Sequence, residues 1–76
     1  MTPEPIIPNP ASKIYMDRFD TDYWWVIQKI CEVLFTDKYN AFCVNTARSI
    51  LDFLVKARFL TGKQIILIYN LSPSRK

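Results

Sequence analysis

Apolar positions along the chain fall into two helical stretches separated by a short polar break. In the first, residues 21–35, Val33, Val26, Ile30, Tyr23, Leu34, Ile27, Cys31, Trp24 and Phe35 project onto an arc of roughly 200° of a helical wheel. Gln28, Thr21, Glu32, Lys29 and Asp22 fill the remainder, and Trp25 stands in the middle of that polar arc. Asp20 is placed to cap this helix, Asp22 to favour its first turn, and Phe19 and Trp24 to form a hydrophobic staple. In the second stretch, residues 41–60, the apolar arc spans roughly 220°, from Phe42 and Phe53 through Ala57, Ile50, Cys43, Leu54, Ala47 and Leu51 to Val44 and Val55. Arg48, Asp52, Asn45, Lys56 and Ser49 make its polar side, with i,i+4 pairs Arg48–Asp52 and Asp52–Lys56. Asn40 is the expected N-cap, and Gly62, the sole glycine of the sequence, the expected residue past the C-terminus.

The remaining apolar run, Gln64-Ile65-Ile66-Leu67-Ile68-Tyr69-Asn70-Leu71, fits two structures. Dense β-branching favours a strand buried on both faces. Thr61-Gly62-Lys63-Gln64, in contrast, has the form of a helix capping box. The balance of these signals favours a strand over 64–70. Its partner would be residues 12–18, where apolar and polar positions alternate weakly, or the same strand of a second subunit. The expected class is therefore mainly α (α+β): an antiparallel hairpin of helices 21–35 and 41–60 with a C-terminal β-segment. An all-α three-helix bundle is the alternative. Residues 1–11 hold four of the five prolines and read as a flexible tail, 12–72 as one small domain, and 73–76 as a polar end. Pro5-Ile6-Ile7-Pro8 matches a polyproline ligand pattern, but the pattern is so short that a plain tail is the preferred reading.

Composition narrows the function. Half of the 76 residues are apolar, high for a chain that buries little of its own surface, which favours burial against a second chain. Net charge is +3, unevenly placed: residues 1–38 carry four bases and six acids, residues 39–76 six bases and one acid. Such halves can attract one another within or between chains. There is no histidine, and the lone glycine rules out a phosphate-cradling loop. Cys31 and Cys43 without histidine do not make a zinc site, and both fall on apolar arcs, as buried thiols of a reducing compartment would. Asp17, Asp20 and Asp22 lack the spacing of a calcium loop, and capping explains the latter two. No enzyme activity, cofactor, metal or small-molecule substrate is expected, and no membrane span. A cytoplasmic location is the default; Asn70-Leu71-Ser72 matches a glycosylation sequon that has meaning only after secretion.

Two function classes remain. Each helix is apolar over more than the roughly 100° stripe that one helix–helix contact covers. The excess points to a homo-oligomer or another protein as partner, with Trp25, Phe42, Phe53 and Phe59 as the contact set, although a Trp25 ring lying over Lys29 and Gln28 or under the N-terminal arm fits the sequence equally well. The alternative is nucleic acid, bound by Arg48, Lys56, Arg58 and Lys63 along the second helix and the wing-like turn after it. Against it, the chain has no room for the extra helix that usually precedes a recognition helix, and the net charge is modest.

Overall fold

The computed structural model describes residues 5–18 and 22–73. Strand β1 (Lys13–Tyr15) runs into a 3-10 turn (Met16–Arg18); helices α1 (Trp24–Phe35) and α2 (Ala41–Ala57), strand β2 (Phe59–Thr61) and helix α3 (Gly62–Asn70) follow. The mainly α class with a little β matches the sequence expectation. The expected cap Asp20 and staple residue Phe19 lie outside the described residues. Helix α1 instead begins after Tyr23, which makes no side-chain cap. Asn40 caps α2 as expected, its Oδ1 accepting from the Cys43 N–H at 2.9 Å.

Two expectations are corrected at the C-terminal end. Residues 64–70 are helix, not strand. The capping box is complete: Thr61 Oγ1 accepts from the Gln64 N–H at 3.2 Å, and the Thr61 N–H donates to Gln64 Oε1 at 3.0 Å. Ile65 and Ile68, three apart, then face the core with no exposure, and this packing outweighs the preference of isoleucine for strands. The second correction is that α2 stops at Ala57 rather than 60. Arg58 turns the chain in the left-handed conformation (φ 68°), its N–H closing on the Leu54 carbonyl at 2.8 Å. Residues 59–61 are thereby freed to pair antiparallel with β1, Lys13 opposite Thr61, Ile14 opposite Leu60, Tyr15 opposite Phe59. Among the described residues there are thus three α-helices, but the all-α alternative lacks this ribbon.

Gly62 has a different role from the one expected. It opens α3, and a Cβ there would lie 1.9 Å from the Asn9 carbonyl oxygen. The N-terminal segment crosses directly over it: the Gly62 N–H donates to the Ser12 carbonyl at 2.8 Å and the Lys63 N–H to the Pro10 carbonyl at 3.2 Å. From residue 5 onward the proline-rich segment, expected as a tail, is thus laid against the fold, with Pro8 buried.

All three helices and β2 pack on one core containing Val26, Ile30, Val33, Ala47, Leu54, Leu60, Ile65 and Ile68. Each fully buried aliphatic side chain contributes about 1.5–3 kcal/mol of transfer free energy. Tyr39, in the connection between α1 and α2, is also core at 6% exposed, and its hydroxyl donates to the Glu32 carboxylate. The shortest dimension of the molecule is 19 Å. That is about two helix diameters, so every helix keeps an outward side.

Candidate interaction surface

Burial on α1 is confined to Val26, Ile30 and Val33. Trp24, Cys31 and Phe35 lie on the opposite shoulder of the apolar arc and are exposed, Phe35 by 83% and Trp24 by 51%. Their spacing with Gln28 (i, i+4, i+7, i+11) makes one straight stripe. Cys31 is therefore not the buried thiol expected; Cys43 is, its Sγ 3.9 Å from the Ser72 carbonyl. On α2 the buried set is Cys43, Ala47, Ile50 and Leu54. Both shoulders are left out, Val55 on one side and Phe42 (73% exposed) with Phe53 on the other. Phe42 and Phe53 share a face, eleven residues or about 16 Å apart.

Trp25, which the sequence left as either an exposed contact or a ring lying under the N-terminal arm, is half-buried. Its indole Nε1 donates to the Ile6 carbonyl at 3.3 Å, and its ring meets Tyr69 of α3 edge-on at 5.9 Å. The polar arc that isolated it on a helical wheel is roofed by the N-terminal arm and by α3, neither of which a wheel contains. The exposed tryptophan is its neighbour, Trp24.

Phe53 and Phe59 are brought together, ring centroids 5.5 Å apart at 85°, whereas Phe42 is not part of that cluster. Tyr15 joins Phe59 at 5.5 Å from across the ribbon, and Lys13 Nζ stands 5.3 Å over the Phe59 ring. Of the basic residues, Arg58 shares an open cavity of about 420 Å³ with Tyr15, Met16 and Asp17. Lys56 pairs with Asp52 at 3.2 Å, while Arg48, earlier in α2, and Lys63, in the first turn of α3, are exposed. Lys13 and Tyr15 carried no signal as site residues beyond the weak alternation of 12–18, which does set Tyr15 on the face opposite Ile14.

Burial pushes the Tyr39 hydroxyl up to about 12, and the adjacent Glu32 carboxylate adds to the rise. This group sits in the α1–α2 connection, bonded to Glu32 of α1. Among the described residues, no three His, Cys, Asp or Glu side chains group closely enough to hold a metal ion, and no helix is long and apolar enough to cross a membrane. No family model matches this chain, and neither a curated protein nor a solved structure is similar to it.

Proposed function

We propose that this chain is a small, non-enzymatic interaction module that self-associates through the apolar rim of α1 and α2. The exposure of Phe35 and Phe42, which flank the connection between the helices, carries the reading. Trp24 and Cys31 extend the rim along α1 and Phe53 along α2, and aromatic side chains of this kind dominate contact energies where they are desolvated. Among the described residues no layer covers these shoulders, and a second copy would supply one. Docking on a different protein would use the same rim. Two free thiols, one of them exposed, suit a reducing compartment such as the cytoplasm.

Sedimentation velocity across a wide concentration range tests this. The expected result is a dimer or larger species that Phe35→Ser with Phe42→Ser returns to monomer. A folded wild-type chain that stays monomeric at sub-millimolar concentration overturns it.

A second reading, nucleic-acid binding, is favoured by one specific observation. Lys13 and Arg58 flank the partly exposed ring cluster of the ribbon rather than lying apart from it.

A further inference from the structure

The two faces of the β1–β2 ribbon are unlike. Ile14 and Leu60, directly opposed, turn inward, and Leu60 is fully buried. Side chains alternate along a strand, so Lys13, Tyr15, Phe59 and Thr61 share the outer face. There Tyr15 is 45% exposed and leans on Phe59, which is half-buried and meets the ring of Phe53 at 85°. Rings held by other rings present fixed planar surfaces. Around them stand Lys13 over Phe59 and Arg58 in the adjoining cavity. Asp52, the acid nearest in sequence to Phe53, is already paired with Lys56.

We propose that this outer face of the ribbon binds single-stranded nucleic acid, an unpaired base stacking on Tyr15 and Phe59 while Lys13 and Arg58 take the flanking phosphates. The proposal rests on the nucleic-acid reading above and names its site. Charge and ring placement select this occupant. An apolar protein face laid here would strip water from Lys13 and Arg58 without pairing them, which is unfavourable. A polyanion with flat, apolar bases matches both halves of the surface. A duplex matches less well, because its base faces are occupied by their own neighbours. Asp17, in the cavity wall beside Arg58, repels a phosphate at that point but accepts a hydrogen bond from the amino edge of a base.

The test is fluorescence anisotropy of a labelled oligodeoxythymidine titrated with the full chain at low salt, repeated with a duplex of equal length and with polyglutamate as competitor. Expected are binding to the single strand that weakens as salt rises, weaker binding to the duplex, and little displacement by polyglutamate. Tyr15→Leu, which keeps the ribbon apolar but removes the flat ring, should weaken binding by about tenfold and leave the salt dependence unchanged. Lys13→Gln should instead flatten the salt dependence by about one phosphate contact. Both positions are exposed, so circular dichroism should show both variants folded. Absence of single-strand binding at low salt overturns the site and the nucleic-acid reading together. Binding that ignores Tyr15→Leu and Lys13→Gln overturns this site and leaves the broader reading standing. Displacement by polyglutamate as effective as by unlabelled oligonucleotide overturns the proposal in favour of an acidic protein segment.

Discussion

Trp24 and Trp25 are neighbours in sequence and belong to two differently finished regions of the molecule. Around Trp25, apolar surface is partly covered: the arm passes across it, Tyr69 meets its ring, and Gly62 lets the arm's backbone approach α3. Trp24, Phe35 and Phe42 stay exposed, and among the described residues no segment is seen to cross them in this way. The arm therefore acts as a partial third layer on one side, and the other side keeps the surplus apolar area of two wide helical arcs. What separates the regions is not composition but whether a backbone segment with few side-chain demands can cross close above the helix.

The largest disturbance to that difference should come from Gly62→Ala. In an open helix, alanine would stabilise by about 0.5–1 kcal/mol relative to glycine. Here its methyl meets the Asn9 carbonyl carbon and oxygen, and overpacking against backbone costs up to about 3 kcal/mol. Thermal or denaturant unfolding reads the sign directly, and a stabilised variant means the arm does not rest on α3. Trp25→Ala comes next. Losing a half-buried ring, its contact with Tyr69 and its bond to Ile6 should destabilise by about 2 kcal/mol, against less than about 0.5 kcal/mol for Trp24→Ala. Equal losses at the two tryptophans would erase the distinction between the regions.

Tyr39 sharpens the comparison from the connection that bears the uncovered rim. Its folded-state value is raised to about 12 from the ordinary tyrosine value of 10.0. A raised value in a group that is neutral when protonated means that stability is fully present below pH 10 and is lost as pH climbs from 10 toward 12. Each unit corresponds to about 1.4 kcal/mol, so burial and the Glu32 bond together account for at most about 3 kcal/mol of alkaline loss. Urea midpoints should fall between pH 10 and 12 for the wild type. In Tyr39→Phe that part of the fall should be absent, and a variant that keeps the full wild-type fall assigns the alkaline loss to other groups.

The legible parts of the fold were those decided by local chemistry. Asn40 at the start of α2, the apolar core positions of both long helices and the Thr61–Gln64 box each depend on residues within one or two turns. What could not be read depended on segments meeting from far along the chain. The run 64–70 carries strand-like residues in a helix because Ile65 and Ile68 find the core three positions apart. Helix α2 ends at 57 because residues 59–61 pair with 13–15, and nothing local to Arg58 announces a left-handed turn. Trp25 on a wheel looks exposed, and is not, because the covering atoms belong to Ile6 and Tyr69. For the candidate site, Phe53 and Phe59 were legible one by one as apolar positions. Their union with Tyr15 and Lys13 exists through the register of the ribbon.

The smallest expected effect on stability is also the most informative about function. Phe35 ends α1 and is 83% exposed, so Phe35→Ser removes almost no buried area and should change unfolding free energy by less than about 0.5 kcal/mol. Thr36 closes that helix independently, its N–H and hydroxyl both bonded to the Glu32 carbonyl, so the cap survives the substitution. Any drop in sedimentation coefficient at high concentration then reports lost association rather than lost folding. An unfolding loss above about 1 kcal/mol in dilute solution, where chains are separate, would mean that Phe35 packs within its own chain. The rim would then be a poorly closed edge of the core, equivalent to the Trp25 side, and not a surface kept for a second copy.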